Sequence, residues 1–509
     1  MRTVDEATAA VEAYSPAEER FNRRRRAAGL FLGPIAFFVV LVLPTATITP
    51  PAHRLAAIVT MVAVLWITEA LPPAVSAILG PVLAVILRVA PAKVVFAPFA
   101  DPIIFLFIGS FMLAEAMFVN GLDRRIAAAA LASKAVGASP VRLVVVFAAV
   151  GTVLSMFMSN MATAAMMFPI GLAIITYLVR SQSAKGKDAA GFALAVMLLT
   201  SFAPSVGGMA TPVGTPPNLI GIGMLERHAG YRIPFFAWVA VGLPIVAVLF
   251  AYLLSHFSMT CLRGLSIGAS SRDMVVQELD RLGPLSRGQK NVALAFGLTV
   301  LLWIAPGLFA IVGLGGSGFG RGYSEAMPEG VAAMVGAILL FLLPVDWRSR
   351  RFTLSWGEAV RIDWGVILLY GGGLALGELV FSTGLAEGVG RGLIAWLPSH
   401  TSFTLTVMFA AFAILSSEVT SNTASATLIV PIAIAVSQAA GVRPIEPALA
   451  ATFGSSMGFV LPVSTAPNAL VYSSGYVPIT SLVRYGLALD LAAFLVIVTS
   501  VTLLAPLVF

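Results

Sequence analysis

The sequence predicts an all-α integral membrane protein of about 11 transmembrane helices plus two re-entrant helical hairpins, built as two inverted repeats. Three observations carry the fold class. The chain of 509 residues is 59% hydrophobic and 11% charged, with a mean hydropathy of +0.95, against about 45–50% and about 25% in soluble domains. Its apolar runs reach about 20 residues without period-2 alternation, so helices and not barrel strands span the bilayer. Polar, proline-bearing stretches inside that apolar sequence also come in matched pairs. Phe157 to Pro169, FMSNMATAAMMFP, is answered by Glu418 to Pro431, EVTSNTASATLIVP; Ala210 to Asn218, ATPVGTPPN, is answered by Val460 to Asn468, VLPVSTAPN.

Met1 to Arg26 is polar, and FNRRRR precedes a run long enough to span, so it is read as no signal peptide. Arg23 to Arg26 are expected to anchor a cytoplasmic N-terminal segment, 1–27. Spans follow near 28–45, 54–70, 74–91 and 102–120. Pro50-Pro51 and Pro72-Pro73 mark tight connections. DRRIAAAALASKAVG at 123–137 reads as a short amphipathic surface helix. A broken pair at about 140–178 forms the first re-entrant hairpin, and spans near 190–224 and 234–256 complete a first half, 28–261. The polar stretch 262–290 is a cytoplasmic linker. The second half, 291–509, has spans near 292–312, 329–344 and 364–383, a second hairpin at about 402–440, and spans near 445–474 and 483–507.

Charge tests this topology. With both hairpins entering and leaving on one side, the N-terminus lies inside and the C-terminus outside. About 23 of the 31 Lys and Arg then face the cytoplasm, as the positive-inside rule requires. The net charge of +7 is therefore a membrane-side signal and not one for nucleic acid. The expected location is a bacterial inner membrane. A gapless repeat supports the two halves: FLFIGSFMLAEAMFVNGL at 105–122 aligns with LLYGGGLALGELVFSTGL at 368–385, matching Gly109 to Gly372 and Glu115 to Glu378. In the topology above the two copies start on opposite sides. Inverted repeats of this kind place a transporter's site near the midplane.

Non-helical backbone at membrane depth is tolerated only inside protein or beside a wet cavity. A hairpin tip offers free N–H groups at one helix end and free C=O groups at the other. The first favour anions; the second, with Ser, Thr and Asn oxygens, suit a hard cation such as Na+. Ser159-Asn160 and Ser421-Asn422 are placed to serve both. Thr215-Pro216-Pro217-Asn218 and Thr465-Ala466-Pro467-Asn468 would supply facing broken helices. None of the four stretches carries Lys or Arg, which suggests an anion held by dipoles, hydroxyls and amides with cations cancelling its charge. Such residues also simply pack helices together, but two matching pairs in the same order favour a site.

Glu115, Glu378 and Glu418 lie deep in predicted spans and are functional candidates. Glu115 and Glu378 read equally as structural or ion-coupling groups. Glu418 would be a proton site or an acceptor for hairpin amides. Asp101 and Asp363 read as helix N-caps. One cysteine, Cys261, and four His without HExxH spacing exclude disulfide frameworks and the common metalloprotease signature. The glycine stretches lack GKS/T, so nucleotide binding is not expected. No nucleophile has a base partner near the Ser-Asn stretches, which speaks against an enzyme.

SNMATAAMMFPI, GTPPN, SNTASATLIVPI, LPVSTAPN and ELDRLGPLSRGQK resemble the divalent anion/sodium symporter family over about 30–507. The resemblance implies homodimers in which a transport part slides against a scaffold as an elevator. It implies substrates such as succinate, malate and fumarate, with citrate or sulfate in some branches, and Na+ coupling in most members. Carried over by position, one sodium set falls on Ser155, Ser159, Asn160 and the Gly214 carbonyl. The other falls on Ser417, Thr420, Asn422 and the Ser464 carbonyl. The substrate would meet Ser159, Asn160, Thr215 and Pro216 on one side and Ser421, Asn422, Thr423 and Thr465 on the other. Three departures stand out: Met161 replaces the family's Thr, Ser464 its Ala, and Ala466 its Pro. Losing one charged-group hydrogen bond at Met161 would cost about 1.5–3 kcal/mol, which fits an asymmetric substrate or another anion. The expected function is sodium-coupled symport of di- or tricarboxylates; the alternatives are a sodium-independent exchanger and a symporter of another anion such as sulfate.

Overall fold

The computed structural model describes residues 16–44, 48–133, 136, 139–180, 186–262, 279–280, 282–395 and 400–509. Most of the N-terminal segment (1–15) and of the expected linker (263–278 and 281) lie outside the described residues, as does part of the surface helix expected to 137.

Among the described residues, ten helices are long and apolar enough to cross a membrane, or up to 11 if the pair Gly318–Ala326 and Glu329–Leu342, bent by 62°, is one span. The ten include both arms of the second hairpin, Ser402–Val419 and Asn422–Ala439. Pro73–Ile86, read from the sequence as a span, is a shorter apolar helix. The regular structure that no apolar pattern announced is small: the short helices Ala92–Phe96, Gly318–Ala326, Trp356–Ala359 and Leu385–Ile394 and two antiparallel strands, Pro344–Asp346 and Arg351–Phe352. The surface helix covers Leu122–Leu131.

Caps and prolines mark the helix starts. Asp101 accepts a bond from the Ile103 N–H and Asp363 one from the Val366 N–H, so both aspartates cap as expected. Gly121 and Gly384, matched in the repeat, both take positive φ (66° and 81°) before Leu122–Leu131 and Leu385–Ile394, a conformation glycine adopts without steric cost.

The halves pack on each other reciprocally. Pro102–Val119 lies against Glu329–Leu342 of the second half, and Trp364–Ser382 against Pro73–Ile86 of the first. The matched glycines make both contacts close. A methyl on Gly109 would lie 2.6 Å from the Ala333 carbonyl carbon, and one on Gly372 would run into the Ala77 carbonyl. Central and peripheral helices are plainly different: the apolar window of Ala189–Ala210 is 78% buried, that of Arg287–Ile311 only 17%. One large apolar core joins elements of both halves, and a smaller one gathers the first three helices around Leu369, Leu376 and Leu379.

Candidate functional site

Both hairpins and both broken spans form where the polar stretches fall. The first hairpin is Pro140–Ser155 and Asn160–Arg180; the second breaks only at Thr420 and Ser421. The first broken span runs Gly186–Gly207, Gly208–Ala210, then Pro216–Ala229; the second runs Ile445–Gly454, then Ala466–Ser473. Prolines explain the restarts. Thr215 (φ −149°, ψ 143°) and Thr465 (φ −142°, ψ 149°) are extended. Pro216 and Pro217 fill the first helical positions of one helix and Pro467 the second position of the other, where a missing N–H costs nothing.

Each hairpin closes on a Ser–Asn pair five residues apart. Ser155 Oγ donates to Asn160 Oδ1 at 2.8 Å, and Ser417 Oγ to Asn422 Oδ1 at 2.7 Å. Ser417 Oγ also lies 2.9 Å from the Ser455 carbonyl, and Asn422 Nδ2 reaches the Ser456 carbonyl at 3.4 Å. Ser159 and Ser421 cap the inner arms, accepting from the N–H groups of Ala162 (3.1 Å) and Ala424 (3.2 Å). Each tip therefore meets the non-helical part of its own half's broken span.

Close glycine contacts locate the oxygens. A methyl on Gly208 would lie 2.5 Å from Asn160 Oδ1 and 3.1 Å from the Gly214 carbonyl; one on Gly214 would lie 2.8 Å from the Ser155 carbonyl. Ser155, Asn160 and Gly214 thus converge. A methyl on Gly458 would lie 3.0 Å from the Ser417 carbonyl and 3.3 Å from Ser464 Cβ, so Ser417 and Ser464 converge in the second half. Thr420 is buried and its hydroxyl donates to the Ser416 carbonyl at 3.0 Å. Thr465 Oγ1 accepts from the Asn468 N–H at 3.3 Å. Ser159 is exposed, and Asn160, Met161, Pro216, Ser421, Asn422, Thr423 and Thr465 are half-buried; Thr215 is buried.

The breaks are braced by two buried asparagines used in the same way. Asn218 Nδ2 donates to the Gly208 and Thr211 carbonyls at 2.9 and 2.7 Å; Asn468 Nδ2 donates to those of Gly458 and Leu461 at 3.0 and 3.1 Å. Ser201 of the first half donates to Asn468 Oδ1 at 2.6 Å. Cross-packing continues the pattern: Pro216–Ala229 lies on Asn422–Ala439, and Ala466–Ser473 on Asn160–Arg180.

The surroundings of four charged residues were not legible in the sequence. Glu418, expected as a proton site or an acceptor for hairpin amides, accepts instead from the N–H groups of Phe459, Val460 and Leu461 in the second broken span at 2.7 to 3.3 Å and from the Ser464 hydroxyl at 2.7 Å. Glu115 and Glu378, equivalent in the repeat, have unlike surroundings: Glu378 pairs with Arg227 at 3.1 Å, while Glu115 has no ion pair among the described residues. Arg25, read as a surface anchor, donates to the Val419 carbonyl at the second tip (3.3 Å) while holding Glu69 at 2.6 Å. No sequence pattern ties residue 25 to residue 419. A cavity of about 380 Å³ lies apart from both tips, lined by Pro212, Leu219, Glu226, Arg227, Arg232 and Glu329 among others; it includes none of the Ser-Asn residues. Among the described residues no three His, Cys, Asp or Glu side chains gather as a metal cluster; the oxygens at the tips are hydroxyl, amide and carbonyl, with the Glu418 carboxylate beside Ser464 in the second half.

The profile of the sodium:sulfate symporter transmembrane region matches residues 25–509. The sodium-dependent dicarboxylate transporter SdcS of Staphylococcus aureus strain USA300 is 32% identical over 485 residues, covering 94% of this chain and 91% of that protein; the strain MRSA252 protein gives the same values. Among solved structures, that of the Alcanivorax borkumensis YdaH transporter aligns with a TM-score of 0.49 and 14% identity over 80% of this chain and 85% of that one. Matched over nearly its whole length, the chain belongs to the sodium:sulfate symporter family, the divalent anion/sodium symporters, a family of membrane transporters and not of enzymes.

Proposed function

We propose that the chain is a secondary active transporter that carries di- or tricarboxylates of the succinate, malate and fumarate type together with Na+. The observation that carries this reading is the pair of Ser–Asn hairpin closures beside interrupted helices, in a chain whose SdcS relatives are named sodium-dependent dicarboxylate transporters. Ser155, Ser159, Asn160 and the Gly214 carbonyl form one Na+ set; Ser417, Thr420, Asn422 and the Ser464 carbonyl form the other. Such oxygens suit a small hard cation at broken helices. Ser159, Asn160, Thr215, Pro216, Ser421, Asn422, Thr423 and Thr465 receive the anion, chiefly through helix N-termini and hydroxyls. Na+ binding shapes the tips and the anion then completes the site.

The two halves, 28–261 and 291–509, are inverted repeats. Support comes from the reciprocal packing of Pro102–Val119 with Glu329–Leu342 and of Trp364–Ser382 with Pro73–Ile86. The protein works as a homodimer in the bacterial inner membrane with its N-terminus in the cytoplasm, and its transport part moves as an elevator. In proteoliposomes, saturable succinate or malate uptake should require a Na+ gradient, and uptake unchanged in choline buffer would remove the coupling. N160A and N422A should each cut uptake by at least about tenfold, the loss of about 1.4 kcal/mol or more; wild-type rates in either would reject the site assignment.

A second reading rests on Met161. Its thioether stands half-buried beside Asn160 and offers only a weak acceptor where a carboxylate would want a donor. A less symmetric anion, sulfate, or sodium-independent exchange would then replace dicarboxylate symport. Counterflow from preloaded vesicles without Na+ separates exchange from symport.

A further inference from the structure

We propose that Arg25 is a tethered cation acting on the second ion site: in the conformation of this structure its guanidinium sits at the carbonyl end of the second hairpin's outer arm and weakens Na+ binding there. The inference rests on the reading of Ser417, Thr420, Asn422 and Ser464 as that site.

The contact is built from three elements. Arg25 Nη2 lies 2.6 Å from Glu69 Oε2, and Arg25 Nη1 donates to the Val419 carbonyl at 3.3 Å. The Arg25 side chain is only 15% exposed, so the guanidinium is held in place and does not wave in solvent. Arg26 adds a second, longer contact to the same carboxylate at 3.7 Å. Glu69 is the C-cap of Pro50–Thr68 and takes φ 49°, while its N–H closes on the Leu65 and Trp66 carbonyls. A positive φ is uncommon for a residue with a side chain, and here it turns the carboxylate toward Arg25.

Val419 ends the helix Ser402–Val419. The last carbonyls of a helix lack partners within it and carry its negative pole. Thr420 follows directly, and Ser417 lies within the same turn. A Na+ ion on this set and the Arg25 guanidinium therefore draw on one negative helix end, and their like charges oppose each other. The first hairpin lacks this feature: its position matching Val419 is Phe157, and among the described residues no Lys or Arg donates to the Phe157 carbonyl. Arg25 belongs to the first helix and Val419 to a hairpin far along the chain. Displacing the hairpin relative to the first two helices breaks the contact and relieves the opposition. Arg25 thus promotes Na+ release in the conformation where the tip reaches it.

The test uses the purified full-length protein. Na+ titrations at constant ionic strength, with choline as the replacement, are followed by thermal unfolding, beside Na+-driven succinate uptake in proteoliposomes. R25Q should half-saturate at a Na+ concentration roughly three- to tenfold lower than wild type and transport more slowly, while R25K should keep the wild-type half-saturation. R25M, which keeps the apolar stem, stands in if R25Q does not fold. Equal half-saturation in R25Q and wild type overturns the inference, as does an R25K shift matching that of R25Q, which would mark a packing role. Wild-type protein without Na+-dependent stabilisation or uptake would sink the proposed function itself, and this inference with it. Normal wild-type Na+ dependence with an unshifted R25Q sinks this inference alone.

Discussion

Glu418 and Met156 hold matching places in the two hairpins and brace their breaks by different chemistry. In the first half the Thr211 hydroxyl donates to the Met156 carbonyl, a neutral bond. In the second the Glu418 carboxylate gathers three consecutive backbone N–H groups and the Ser464 hydroxyl. Hydrogen bonds to charged groups contribute about 1.5–3 kcal/mol each, so the second break is the more firmly tied. E418Q keeps the shape but turns an –NH2 toward N–H donors. It should lower stability by about 3 kcal/mol, read as a fall in unfolding temperature, whereas S464A should cost about half as much. An E418Q melting curve lying on the wild-type curve would show that these bonds carry no weight. The residue types were legible in the sequence because a buried acid among apolar residues is conspicuous. The partners were not, since Phe459 to Leu461 are apolar side chains whose backbone does the binding.

At the scale of elements, the bilayer made most of the fold readable. A span needs about 20 apolar residues, and that length shows in the sequence; the hairpins showed because Ser-Asn and Pro interrupt it twice in the same order. Short elements escaped. The ladder 344–352 and the helix Gly318–Ala326 are set by local contacts, and Pro73–Ile86 is shorter than its apolar run suggested. The aligned glycines acquire their reason only in the structure. Gly109 and Gly372 allow two cross-half helix pairs to touch backbone to backbone. G109A and G372A should therefore each destabilise the protein by about 1–3 kcal/mol through overpacking. Gly297 is a matched control: it lies inside Arg287–Ile311 with nothing near the position of a Cβ. G297A should be neutral or stabilising by up to about 1 kcal/mol. Comparable losses in all three variants would mean that close helix approach is not what the repeat glycines provide.

For the whole molecule, the decisive contacts are those that relative motion of the parts would have to break. Arg227 ends the helix Pro216–Ala229. It bridges Asp101, at the start of Pro102–Val119, at 2.8 Å and Glu378, within Trp364–Ser382, at 3.1 Å; Tyr370 donates to the other Asp101 oxygen at 3.2 Å. The Asp101 cap was readable from its place before a span; its second role was not, because Arg227 is 126 residues away. If the broken spans and hairpins move as a body against the remaining helices, this network opens in every cycle. The pairs are only partly buried, with Arg227 34% and Glu378 37% exposed, so they can mark the moving boundary without locking it. Cross-linking makes the motion testable. Cys261 is the only cysteine and is buried, so a C261S background leaves two introduced thiols as the targets. A short cleavable bismaleimide bridging R227C and E378C should stop Na+-driven uptake, and cleavage of the linker should restore it. Each single-cysteine variant treated alike should keep transporting. Full uptake through the bridged protein would mean that these two helices keep their places while the substrate crosses, and an elevator that moves Pro216–Ala229 past Trp364–Ser382 would be ruled out.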